Sequence, residues 1–357
     1  MARYLVIFFI LLTNTVFSQT GDTVRTPPPP PLPKDTIPTA PFDTNLIRNS
    51  FRMSSTSETY GIGTWIWNDR RNLGEILNER PGYLVNFMFN GGRNTINFNT
   101  LDEKNIGIFK DGIQINDNLF GGFDIENISV NEIDTIEEIS SVSSFLYGIN
   151  TQTKSINVIT KDVFQPQLFS QLRFSQDRYG SEYADVYFSQ SLSRKFNWQI
   201  GATKHSIDGR YTNSDFDVWR GRGRINWFIS PKANVRLNLN YASIQRGLNE
   251  GLIYSTQDTL ENGEIAQVEN SDSYEKLTNY FYDLSFTGRF LRDRNSLTKI
   301  KLYSQNSLRE YRDEENRTNS NGIYFNKNFH VVQYGADVKQ NFGFKINNDI
   351  KAGLLIG

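Results

Sequence analysis

The chain has no cysteine in its 357 residues. Disulfides and thiolate metal sites are excluded, and so is lipid attachment to a cysteine behind an export signal. Histidine is almost as scarce, with only His205 and His330. Neither has a ligand spacing that would hold a metal, both fall near strand ends, and a surface or rim position is expected for each. Glycine loops that cradle phosphate and nucleophile elbows are also missing, so no catalytic residue, cofactor or metal is assigned and an enzyme is not expected. Carboxylate pairs such as Glu137-Glu138 are adjacent on a strand and point to opposite faces, which is no geometry for acid–base work. A net charge of −1 gives no sequence-wide pull toward nucleic acid, which is not expected as a partner. Beyond the first dozen residues no long apolar run occurs, which excludes a bundle of membrane-spanning helices.

The one apolar run, Tyr4–Leu12, follows Arg3 and precedes Val16 and Ser18. It predicts a secretory signal over residues 1–18, cleaved between Ser18 and Gln19. As a helix the run would span only roughly 14 Å against a hydrocarbon core of ~30 Å, too short for a permanent anchor. From Gly21 to Asn49 the composition is Pro, Thr and Asp, with Pro27–Pro31 in one tract. Such a segment favours extended polyproline conformation and buries no core, so residues 19–59 are read as a periplasmic spacer.

Residues 60–162 carry the signals of a small α+β domain. Asn72 with Glu75 opens a helix whose apolar face is Leu73, Ile76 and Leu77, and Pro81-Gly82 stops it. The stretch from Ile106 to Ile115 alternates on both sides of Asp111-Gly112, the dipeptide suited to positive φ at both turn positions, and predicts a β-hairpin.

Over residues 163–357 the pattern becomes a series of alternating stretches, near 166–178, 183–193, 196–205, 219–229, 234–244, 278–291, 297–309, 328–344 and 350–357. Most approach the ~9–11 residues that a tilted strand needs to cross a bilayer. Short turns around residues 193–195, 230–232, 292–294 and 347–349 alternate with longer polar loops at 206–218, 245–277 and 310–327. That asymmetry is the one of outer-membrane barrels. In Trp219–Ile229 the two Trp and two Ile share one face with glycines, while Arg220, Arg222 and Arg224 share the other. An Arg facing lipid near the midplane costs ~2–4 kcal/mol, so the three are assigned to the lumen, where ion pairs with acids of the preceding domain are favoured over binding of an anionic solute. The loop from Gly247 to Glu275 holds seven acids and no Lys or Arg. It has no calcium-loop spacing and is read as a solvated external loop rather than a cation site. The fold class expected is mainly β, a small α+β domain followed by antiparallel transmembrane barrel strands.

The segment from Leu73 to Lys161 resembles the plug domain of TonB-dependent outer-membrane receptors. Leu73-Gly-Glu-Ile-Leu77 with Pro81-Gly82 resembles the family's opening helix and its stop, and Lys110–Ile115 its central hairpin. Ile133, Ile136 and Glu137, then Ser144, Tyr147 and Gly148, then Ile156–Lys161 resemble its closing segment. The residues that carry this signature are Asp111, Gly112, Glu137, Tyr147, Gly148, Ile156, Asn157, Thr160 and Lys161. Departures are Ser141 in place of a usual glycine, Thr153-Lys154 in place of paired glycines, and no arginine-glycine counterpart in Ile96–Thr100. No TonB box is assigned, because Asp22-Thr-Val24 and Asp35-Thr-Ile37 are too short to be distinctive. The resemblance implies an outer-membrane location with plug and spacer on the periplasmic side, and uptake of a scarce small solute energised by the TonB complex of the inner membrane. The partners implied are outer-membrane lipid, that complex and an unknown small solute. The alternative is a passive plugged porin or surface-interaction barrel not coupled to TonB. A plug-bearing barrel of this kind has roughly 22 strands, so about nine stretches ending at Leu354-Leu-Ile-Gly357 predict further strands beyond this chain.

Overall fold

The computed structural model describes residues 58–86, 94–117, 119–140, 144, 147–149, 151–253, 266–290, 296–313, 325–345 and 351–356. The expected signal, the spacer up to residue 57, and the turns at 292–294 and 347–349 lie outside these residues, as do residues 254–265 of the acidic loop.

The first part of the described chain is a small mixed domain. Its strands are β1 (Glu58–Gly61), β2 (Tyr83–Asn86), β3 (Thr95–Phe98), β4 (Ile106–Lys110), β5 (Ile113–Gln114), β6 (Ile133–Ser140) and β7 (Lys154–Thr160), with one helix, α1 (Leu73–Leu77). Five strands form a sheet in the order β1-β6-β7-β4-β5, and β2 pairs with β3 apart from it. Only the β4–β7 pairing is parallel. Helix α1 starts where Asn72 Oδ1 accepts from the Glu75 amide at 3.1 Å, while Glu75 Oε2 accepts from the Arg71 amide at 2.7 Å. The first bond satisfies an orphan donor of the opening turn, and the second ties down the amide just before the cap. Its apolar face, Leu73, Ile76 and Leu77, packs into one core with Ile106, Ile108, Ile136, Ile156 and Val158 of the sheet. At the β4–β5 turn Asp111 and Gly112 have φ of 50° and 87°, the left-handed pair that joins two strands in two residues.

The second part is a nine-stranded antiparallel meander: β8 (Phe169–Asp177), β9 (Ser181–Ser193), β10 (Phe196–Ile207), β11 (Phe216–Ser230), β12 (Ala233–Gly247), β13 (Tyr274–Gly288), β14 (Leu297–Asp313), β15 (Phe325–Lys345) and β16 (Lys351–Ile356). Each strand pairs with its sequence neighbours, and among the described residues the sheet stays open, with β8 and β16 at its two edges. Side chains alternate cleanly. On β11 the residues Trp219, Ile225, Trp227 and Ile229 are exposed on the outer face, while Phe216, Val218, Arg220, Arg224 and Phe228 are buried on the inner one.

Several strands outrun their alternating apolar signal. β11 begins at Phe216 rather than 219, and β13 at Tyr274 rather than 278. β15 runs to 21 residues. Its outward positions are Val332, Tyr334, Ala336 and Val338 in the middle, but Asn326, Asn328 and His330 toward the longer loop. A strand that leaves the lipid keeps its ladder of hydrogen bonds and loses its outward apolar residues, so the pattern ends before the strand does.

Candidate functional site: the interface between the small domain and the barrel wall

The small domain meets the inner face of β8–β15 largely through polar and charged side chains, with Phe120 against Phe329 of β15 as an apolar contact. Its apolar core contains no residue from those strands, and the apolar cluster of the wall, Phe216, Val218, Ile244 and Leu277, contains none from the small domain. The contact can be followed from the end of the long loops to the end of the short turns.

Near the long loops, Arg309 on β14 lies 2.7 Å from Asp117 and 2.5 Å from Glu275 of β13. Beside it, Arg246 on β12 sits 2.6 Å from Asp124 with both side chains almost wholly buried. Next comes Glu126, which is 1% exposed. Arg220 Nη2 reaches its Oε2 at 2.7 Å, Arg220 Nε donates to its carbonyl at 2.5 Å, and Asn72 Nδ2 donates to its Oε1 at 2.5 Å. His205 Nδ1 is 3.4 Å from the same carboxylate, and its ring meets Tyr183 and Phe216 edge-on. Burial alone would raise the Glu126 carboxyl, but the His205 contact and the Arg220 and Arg246 charges outweigh it and hold the group at about 2.

Arg222 follows a different course. Its guanidinium crosses Gly201, where a Cβ would lie 2.6 Å from Arg222 Nε, and grips Asp185 of β9 with two bonds of 2.9 Å. The partner is therefore an acid of the wall rather than of the small domain.

Toward the short turns, Arg224 is the centre of a network. It contacts Asp162 at 2.6 Å, Asp111 at 3.0 Å and Asn238 at 2.6 Å, and also Thr160 Oγ1. Arg236 shares Asp162 at 2.6 Å, and Lys301 donates to the Asp111 carbonyl at 2.7 Å. Asp111 in turn accepts from the Thr160 amide at 2.9 Å and from Thr160 Oγ1 at 2.5 Å. Burial opposes its charge, yet Arg224, Lys301 and Arg236 hold this carboxyl well below the usual range. A pair of this kind is costly to leave half made, because each ion has lost its water.

The nine signature residues fall on one hydrogen-bonded path and its surroundings. Asn157 Nδ2 donates to Glu137 at 2.8 Å, and Asn157 Oδ1 accepts from the Gly112 amide at 2.9 Å, which links β6 and β7 to the Asp111 turn and so to Arg224. Ile156 is in the core. Tyr147 stands near Glu137, and burial followed by that charge raises its phenol. A Cβ on Gly148 would lie 2.5 Å from Gln114 Oε1. Lys161 leaves the path and donates to Gln171 of β8 at 2.7 Å.

Beside the partner of Arg222, two further expectations need correction. His205 is 4% exposed at the heart of the interface, not at a surface or rim, because it occupies an inward position on β10 opposite Glu126. Glu275 is no part of a solvated loop, since β13 starts at Tyr274 and turns it inward onto Arg309 and Arg246. His330 is exposed and its Nε2 lies 2.8 Å from Asn306 Oδ1. The partners that sequence reasoning missed are Asp124, Glu126, Arg246, Lys301 and Arg309. Period-two alternation would have placed the three cations inward, whereas the two acids sit in a short 3-10 turn, whose residues have no periodic signal.

Between the small domain and β11–β14 a cavity remains, with a volume of about 60 Å³. Lys110, Glu132, Arg220, Arg222, Asn240 and Gln305 are among its lining residues.

Residues 68–153 match the family model of the TonB-dependent Receptor Plug Domain. No curated protein matches the chain in sequence. Among solved structures, the siderophore receptor PirA from Acinetobacter baumannii is similar with a TM-score of 0.58 at 14% identity, over 85% of this chain and 47% of that one. A variant of the ferric enterobactin receptor PfeA from Pseudomonas aeruginosa gives 0.62 at 11% identity, over 88% and 49%. The copper transporter OprC gives 0.63 at 11% identity, over 84% and 45%. The chain thus spans about half the length of each of these structures. Residues 68–153 are a TonB-dependent receptor plug domain, joined to strands that share the fold of the barrel around such a plug.

Proposed function

We propose that the chain is the plug and part of the barrel of an outer-membrane receptor that admits a scarce solute to the periplasm when the TonB complex of the inner membrane displaces the plug. In this reading residues 1–18 direct export, 19–59 form the periplasmic spacer, 60–162 the plug, and 163–357 the barrel portion with its long loops outside. The observation that carries it is the separation of the two apolar cores by a charged interface. Moving an apolar interface apart exposes surface at about 25 cal/mol per Å², whereas a polar one can exchange its partners for water. A plug held in this way can be shifted and reseated without unfolding either core.

The test is uptake in cells that carry the intact protein. Uptake that stops when the proton-motive force is dissipated, and stops on deletion of residues 19–44, agrees with the proposal. Uptake that persists without the force indicates a passive plugged porin and overturns it.

A further inference from the structure

The wall that faces the plug carries an excess of cations over its inward acids Asp185, Glu275 and Asp283. Arg246, Arg309, Arg220, Arg224, Arg236 and Lys301 all occupy inward positions, and the strand registers carry them from the long loops to the short turns in that order, with Arg236 and Lys301 level. From Arg246 to Arg236 the track covers roughly 34 Å along β12, comparable to the ~30 Å of a hydrocarbon core. Four of these cations are neutralised from the other side, Arg309 by Asp117, Arg246 by Asp124, Arg220 by Glu126 and Arg224 by Asp111. The cations are fixed to a hydrogen-bonded sheet, while the four carboxylates belong to the plug. Withdrawal of the plug therefore leaves Arg220 without its carboxylate and Arg224 without Asp111, while Arg246 and Arg309 keep only Glu275 of the wall between them.

Two further observations point the same way. Arg220 Nη1, Arg222 Nε, Arg246 Nε and Arg309 Nε have no hydrogen-bond partner among the described residues even with the plug seated, so donors are in reserve. The cavity already open between plug and wall is lined by Arg220 and Arg222 of the wall and by the plug's own Lys110–Glu132 pair, 2.9 Å apart, beside Ile115, Phe123 and Phe281.

We propose that the solute admitted is an anion, carrying carboxylate or phosphate-like oxygens, and that it passes along this track with its own charge replacing the plug carboxylates as they withdraw. The inference rests on the receptor reading above and adds the charge of the cargo to it. Arg220, Arg246 and Arg309 are the binding residues along the path, since guanidinium groups take two oxygens at once.

The intact protein in planar bilayers tests it, with chloride and potassium as the probe ions and the plug contact weakened by Asp124→Asn with Glu126→Gln. In a potassium chloride gradient the reversal potential should report chloride as favoured about threefold or more. Adding Arg220→Gln and Arg309→Gln should shift the potential toward potassium. A pore that prefers potassium, or one whose potential ignores the arginines, overturns the inference. Should the pore stay shut, hydrogen exchange at residues 111–126 of the unmodified protein reads the same competition. Citrate should speed it several-fold over potassium chloride of equal ionic strength, and equal rates overturn the inference. Force-dependent uptake of an uncharged or cationic solute would sink the anion track and leave the receptor standing. Uptake without the force would do the reverse.

Discussion

Replacing Glu126 by glutamine is the most direct probe of how the plug is seated. The side chain keeps its shape and can still accept from Asn72, but Arg220 and His205 lose the charge that faces them at 2.7 Å and 3.4 Å. Removal of one partner from a buried pair costs ~3–5 kcal/mol, and the depression of the Glu126 carboxyl points to the same order. It is held at about 2 against an ordinary 4.5, which at ~1.4 kcal/mol per unit is about 3–4 kcal/mol. The sign follows from the depression of the folded value. The contribution is complete above pH 4.5 and is lost as pH falls from there toward about 2. Hydrogen exchange of the plug peptides, corrected for intrinsic rates, reads this out. At neutral pH, Glu126→Gln should lower protection around residues 124–132 by roughly a hundredfold, and acid should then lower it little further. The wild-type protein should approach the variant only as the pH drops below 4.5. Equal protection at neutral pH, or the same acid dependence in both proteins, would refute the reasoning.

Other substitutions separate the layers of the structure. Asp111→Ala removes the acceptor for Thr160 and Arg224 at a position of positive φ, and should destabilise the plug by ~3 kcal/mol or more in chemical denaturation. Gly107→Ala places a Cβ 2.5 Å from Thr151 Cγ2 beside the parallel β4–β7 pair, and should cost ~1–3 kcal/mol in the same assay with the barrel strands unaffected. Ile225→Arg on the outer face of β11 should cost ~2–4 kcal/mol in barrel refolding into lipid, while Ile225→Leu should cost little; a negligible cost for the arginine would contradict the assigned outer face.

Much of this architecture could be read from local chemistry. The Asn72 cap, the Asp111-Gly112 turn and the alternation of Trp219–Ile229 are each decided by a few neighbouring residues, and each is present in the structure. What the sequence did not disclose depends on residues far apart in the chain. Nothing near Glu126 announces that Arg220 and His205 will face it, because the meeting is set by the register of β10 and β11 against a docked domain. The parallel pairing of β4 with β7 is likewise invisible to a pattern of period two, which reports faces and not neighbours. His205 and Glu275 were misplaced for a related reason, since both lie where strands continue beyond the lipid-facing stripe.

That continuation has a consequence for recognition. At β15 the polar outward residues Asn326 to His330 place the end of the strand in water, on the side of the long loop. The inward residues of the same segment, Phe329 beside Tyr311 and Phe120, are thus held on paired backbone above the membrane plane instead of on a free loop. A molecule that arrives there meets groups whose backbone entropy was already spent when the sheet formed. Each backbone position that need not be ordered on contact spares about 1–2 kcal/mol of conformational entropy in whatever encounter takes place at this rim.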